Sequence, residues 1–113
     1  PKYANSKLLI MTRMHTRMIA AYGCSYGIDV STNSGSTWSV VPGMAQRNAL
    51  DFFYKGDAVN HHYTGFCHIQ IDASNINSRR YSPWGQGWGG GTWELSYGHG
   101  EHSVTVYEIA TTI

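Results

Sequence analysis

Charge is what this chain has least of. Only 13% of its 113 residues are Asp, Glu, Lys or Arg, the formal net charge is +1, and no basic run exceeds Arg79-Arg80. Neutralising a phosphate backbone takes a clustered basic face, so no nucleic-acid partner is expected. No apolar run approaches the roughly 18 residues a membrane-crossing helix needs, and no membrane insertion is expected. No signal-peptide pattern is visible, and the chain opens on Pro1 without an initiator Met, as either a crop from a longer protein or a trimmed start would. There are two cysteines, Cys24 and Cys67, too few for a disulfide framework. They read as free thiols. Catalytic and metal signatures are missing too. There is no G-x-S-x-G elbow, no H-x-x-x-H on a helix and no cysteine pair at finger spacing.

What is present is aromatic and small. Eight Tyr, four Trp and three Phe carry much of the apolar weight, and thirteen Gly stand among many Ser, Thr and Asn. Short apolar runs between Gly- and Asn-rich breaks point to an all-β domain. A surface rich in Tyr, Trp, Ser and Asn and poor in Lys and Glu has the composition of an interface, which suggests oligomerisation. One domain is expected over 1–113.

The two ends carry the strongest strand patterns. In His102–Ala110, Val104 and Val106 alternate with Thr105, Tyr107 and Ile109. In Ser6–Thr16, both faces are apolar at the start and polar later, which fits a strand covered on two sides. The Leu8, Met11, Met14, Met18 spacing also suits a helix, but no cap precedes it, and strand is preferred. If the ends pair within one sheet, the rest folds back between them as an antiparallel β-sandwich. Further strands are expected at Ile19–Tyr22, with Gly23 and Gly27 as breaks, and at Ile28–Val30, Trp38–Val41, Ala49–Tyr54, Val59–Asp72 and Trp93–Tyr97, seven to nine in all. Ser31–Ser36 is a turn with Asn and Gly at its positive-φ positions. Lys55–Asp57 and Gly98–Gly100 are also turns. Residues Ala73–Gly91 read as one long irregular stretch. Glu108, alone among apolar residues, is expected to pair with Lys7 or Arg13 across the strands.

Ser6-Lys-Leu-Leu-Ile10 and Ser103-Val-Thr-Val-Tyr-Glu-Ile-Ala110 resemble the opening and closing strands of the C-terminal domains of bacteriophage and other viral fibre proteins. Ala49–Tyr54 and Tyr63–Ile71 fall where those domains have paired central strands. The resemblance runs through most of the chain in order, on short motifs. It departs at Leu50-Asp51, followed here by Phe52-Phe53 where relatives have a Leu-Asp-x-Pro-like turn, and at the Trp/Gly insert Pro83–Trp93. It implies a homotrimeric jelly-roll β-sandwich at the tip of a virion fibre, assembled in the host cytoplasm and binding a host surface receptor, often a glycan. The alternatives are a trimerisation cap that binds nothing and a stand-alone small lectin.

The binding candidates lie in Tyr81–Trp93. Indole faces stack on sugar C–H groups while nearby polar groups take the hydroxyls. Tyr81, Trp84, Gln86 and Trp88 are the expected ligand residues. Arg79 and Arg80 are the polar complement, suited as a pair to a carboxylated sugar. The competing reading folds Trp84 and Trp88 inward over a core or subunit contact. Trp93 is assigned to the core. The six histidines (His15, His61, His62, His68, His99, His102) read as surface or interface residues and not as a metal site. No enzyme is expected. Of the seven carboxylates, only Asp51, Asp72 and Glu94 sit where a glycosidase pair could form, and no spacing requires it. Cys67 and His68 are adjacent on a strand and face apart. No cofactor is implied.

Overall fold

The computed structural model describes residues 1–19, 22–44, 50–55, 61–88, 93–95 and 102–110. The expected turns at Lys55–Asp57 and Gly98–Gly100, the proposed strand at Ile19–Tyr22 over its residues 20–21, and His99 lie wholly or partly outside them.

The described residues are all β, arranged as two antiparallel sheets without a helix. Strand β1 (Lys7–Met18) is the centre of the first sheet. It pairs along its whole length with β5 (His61–Asp72). Its other edge is shared by β8 (Ser103–Ile109), from Lys7 to Arg13, and β7 (Trp93–Leu95), from Thr16 to Met18. The ends of the chain therefore do lie side by side, with Lys7 opposite Ile109 and Arg13 opposite Ser103. Strand β2 (Tyr22–Ser31) is the centre of the second sheet. On one edge it carries β3 (Ser39–Val40) and β4 (Asp51–Lys55), and on the other β6 (Arg80–Trp88).

Alternation explains the core. The even residues of β1, Leu8, Ile10, Thr12, Met14, Thr16 and Met18, are all buried, as are Cys24, Tyr26, Ile28 and Val30 of β2. These two rows face each other between the sheets. Removing a side chain such as Ile10 from water contributes about 1.5–3 kcal/mol. Trp93 packs against this cluster, as expected, together with Tyr63, Ile69 and Tyr81. The aromatics need room, and two glycines provide it. A Cβ on Gly65 would lie 2.8 Å from the Tyr26 ring. One on Gly85 would lie 2.7 Å from the Met14 methyl and 3.2 Å from the Trp93 ring. The Tyr26 hydroxyl bonds Thr16 Oγ1 and lies 2.7 Å from Cys24 Sγ, so the polar tip of this buried ring is satisfied inside the core.

Four expectations need correction. Gly23 and Gly27 do not break a strand; they lie inside the ten-residue β2. In the turn after it, Ser34 and Gly35 take the positive φ angles of 63° and 91°. Asn33 instead staples the turn, its side chain accepting from Thr37 N at 2.9 Å and donating to Thr37 Oγ1 at 2.7 Å. The long irregular stretch is mostly strand: only 73–79 is irregular before β6 begins. Pro83 argues against a strand in general, yet proline is tolerated in an edge strand, where its missing N–H faces away from the ladder. Glu108 pairs with neither Lys7 nor Arg13. Its carboxylate accepts from the backbone N–H groups of Lys2 and Tyr3 at 2.8 Å and from Ser6 Oγ at 2.7 Å. Lys7 is taken instead by Asp72.

Backbone donors aimed at an exposed carboxylate favour its charged form, and the bonds from Lys2, Tyr3 and Ser6 hold Glu108 down at about pKa 2. A folded pKa below the unfolded one contributes stability that is complete above pH ~4.5 and is lost as pH falls toward 2. Glu108→Gln should flatten the acid limb of the stability curve in that window and speed hydrogen exchange at the Lys2 and Tyr3 amides. In urea melts, Gly65→Ala should cost about 1–3 kcal/mol, because a rigid buried ring stands in the way. Gly85→Ala should cost less, because the nearest atom is the mobile end of Met14.

Candidate functional site

Strand directions give the molecule two ends. Lys7, Ser31, Asp72, Arg80 and Ile109 are at one, with the Pro1–Ser6 segment; Met18, Gly23, His61, Trp88 and Trp93 are at the other. The expected ligand residues run from one end to the other. Arg80 and Trp88 are eight residues apart on one strand, roughly 27 Å at the usual rise. They cannot all meet one sugar ring.

Register splits them further. Tyr81 is opposite Val30 and Gly85 opposite Tyr26, so Tyr81, Pro83, Gly85 and Gly87 are on the core side. Arg80, Trp84 and Gln86, with Trp88 at its register position, belong to the outer side, opposite Ser31, Gly27, Ser25 and Gly23. Trp84 is half-buried and Gln86 exposed. Two residues apart on one face, about 7 Å, these two are close enough to share a ligand. Arg79 is used otherwise. Its guanidinium donates to the carbonyls of Asn77, Ala73 and Asn75 at 3.3, 3.1 and 3.0 Å and to Asn75 Oδ1 at 2.7 Å. It staples the 73–79 loop, so the Arg79–Arg80 pair does not form a carboxylate fork. Arg80 extends over the 31–37 turn, where its Nη1 would be 3.3 Å from a Cβ on Gly35.

The stapled loop walls a groove of about 430 Å³ at the chain-terminal end. Val30, Pro42, Ile71, Ala73 and Tyr81 form its apolar part; Thr32, Asp72, Ser74, Asn75, Asn77, Ser78 and Arg79 supply its polar part. A second hollow of about 320 Å³ is on the far side of Ser78, Arg79 and Tyr81, closed by Pro1, Leu8, Val106 and Glu108. Tyr81 is thus part of the partition between them. Its hydroxyl is buried beside the Arg79 guanidinium. Burial pushes its pKa up, and the nearby Arg79 guanidinium pulls it part of the way back. Sequence reasoning named Tyr81 and Arg79 but missed Ser74, Asn75, Asn77 and Ser78. The Asn/Ser run was legible; that it faced Pro42 and Ile71 was not.

Among the described residues no three His, Cys, Asp or Glu side chains converge. His15 and His62 do meet, rings stacked at 5.3 Å with Nε2 of one 3.1 Å from Nδ1 of the other, and His15 Nδ1 is 3.1 Å from Thr64 Oγ1. Asp72 and Glu94 pair with Lys7 and Arg17, ten residues apart on β1 or roughly 33 Å, far beyond the 5–10 Å of a glycosidase pair. Asp51 accepts from the Tyr63 hydroxyl at 3.3 Å and from Phe66 N at 3.2 Å. No family model, curated protein or solved structure matches the chain.

Cys24 and Cys67 are both free and buried. Burial raises both thiols, Cys67 to about pKa 11. Neither should react with a soluble disulfide reagent at pH 8 in the folded protein, and both should react at once in denaturant. A timed thiol titration checks this, and fast labelling of Cys67 without denaturant would contradict its place in the core.

Proposed function

We propose that this chain is a receptor-binding tip domain of a viral fibre, a jelly-roll sandwich that acts as a homotrimer and binds a host surface receptor, a glycan first. The observation that carries this is an uncovered apolar face. On the outer side of the first sheet, Met11, Phe66, Tyr107 and Ile109 are 44%, 65%, 56% and 42% exposed, in adjoining register with half-buried Leu9. Every residue of β8 is exposed, and its outer edge has no partner strand among the described residues. Contiguous apolar surface of this kind marks an interaction site, and a bare alternating edge strand invites association. The body is slender as well, 52 × 23 × 23 Å with a radius of gyration of 15.5 Å, against about 13 Å for a compact domain of this length. Covering the first sheet with two further copies supplies the burial that one copy lacks.

In this reading the second sheet faces outward, and Trp84 with Gln86 forms its receptor contact. Each site is weak, because sugar binding exchanges hydration for similar hydrogen bonds, and three linked copies add avidity. The domain works by adhesion without turnover, and its place is the virion surface.

Mass in solution should be three times the 12.6 kDa chain. Met11→Glu places a charge in the shared face and should yield folded monomers with an unchanged strand signature in circular dichroism. A monomeric parent protein would end the trimer reading. Trp84→Ala should keep the trimer and reduce adhesion to host cells at least tenfold. Dissociation instead would place Trp84 in a subunit contact and favour a trimerisation cap.

A further inference from the structure

We infer that the groove walled by the 73–79 loop is a binding site for a neutral saccharide, separate from the Trp84–Gln86 face and independent of whether the chain trimerises. Its volume of about 430 Å³ falls in the range of small-molecule sites and suits one or two sugar rings. Its chemistry is mixed in the way a sugar requires. Pro42, Ile71 and Tyr81 offer apolar surface to the C–H face of a ring, and Asn75, Asn77 and Ser78 offer amide and hydroxyl groups to its edge.

Charge argues for a neutral ligand. The two ionic groups at the groove are already engaged. Asp72 pairs with Lys7, and Arg79 spends four contacts on the loop's own oxygens. A carboxylated or phosphorylated ligand would have to compete for a guanidinium that holds the wall together. The same contacts fix the wall before a ligand arrives, so little ordering cost falls on binding.

The test is a titration of ¹⁵N-labelled protein with D-glucose, D-galactose, N-acetyl-D-glucosamine and lactose, and with N-acetylneuraminic acid as the charged probe, followed by amide shifts. Saturable shifts over Ile71–Tyr81 with at least one neutral sugar are expected, with millimolar affinity for a single ring. Ser78→Trp, a change at an exposed position on the groove wall, should abolish binding with the fold intact. The inference is overturned if no neutral sugar shifts these amides, or if the charged sugar binds as well as the neutral ones. It is overturned equally if Ser78→Trp leaves affinity untouched. Shifts confined to Trp84 and Gln86 would refute the groove while supporting the receptor face. Host-cell adhesion without any groove response would do the same.

Discussion

The two central strands, β1 and β2, are set back to back, and the rest of the molecule depends on that contact. They are neighbours in sequence and lie in different sheets, so one short connection forces the inward rows of both strands together. Leu8, Ile10, Met14 and Met18 meet Cys24, Tyr26, Ile28 and Val30 with almost no exposure. Every other strand joins this pair by hydrogen bonding to one of its two members. The aromatic-rich, aliphatic-poor composition sets the terms of the packing. A Tyr placed in the middle of the core needs a glycine on the facing strand and hydrogen-bond partners for its tip, and Gly65, Thr16 and Cys24 provide them.

Building each sheet on one central strand has a consequence for the outside. At most three strands lie abreast, so each sheet is narrow and its outer face is flanked by little. Over β2 this does no harm: the strand is buried on both faces, with Ser25, Asp29 and Ser31 as its outer residues. Over β1 the outer residues are Leu9, Met11 and Arg13, and their neighbours on β5 and β8 include Phe66 and Tyr107. The guanidinium of Arg13 lies 5.9 Å from the Phe66 ring centroid, which shields part of that ring and leaves most of it exposed. The two sheets therefore differ in what they show to water. That difference is the basis of the proposal that one sheet meets other subunits and the other a receptor.

Much of this was legible in the sequence, for a definite reason. Period-two patterns are strongest where one face is buried, so the first and last strands, their pairing and the all-β class could be read directly. The doubly apolar start of β1 was also informative, because it reported an outer face that resembles a core. The failures share a cause as well. Gly23 and Gly27 read as breaks, and Pro83, Gly85 and Gly87 fall in a stretch that reads as irregular, since these residues weaken strands in general. Here Gly85 is where Met14 and Trp93 come through, and Pro83 is on an edge. Such requirements are set by facing side chains far away in sequence. Glu108 shows the same limit. A carboxylate across from lysine and arginine suggests an ion pair, but three donors in the first six residues were closer at hand. The candidate site was legible in part, since Tyr81 and Arg79 are both at the groove, while convergence of Asn75, Asn77 and Pro42 on them depends on the ends of both sheets.

The Glu108 contact also ties the groove to the start of the chain. By holding Lys2, Tyr3 and Ser6, it fixes the opening segment against the end of β8. Pro1 thereby becomes a wall of the hollow that shares Ser78, Arg79 and Tyr81 with the main groove. Ser6 accepts the backbone N–H of Ala73 at 2.9 Å, and Ala73 in turn accepts from Arg79. One chain of hydrogen bonds thus runs from the Glu108 carboxylate through Ser6 and Ala73 to the guanidinium that shapes the loop. A disturbance at the opening segment therefore reaches the groove through two residues, without crossing the core. Conversely, a ligand that steadies the loop steadies the segment, because linkage between two sites of one network runs in both directions.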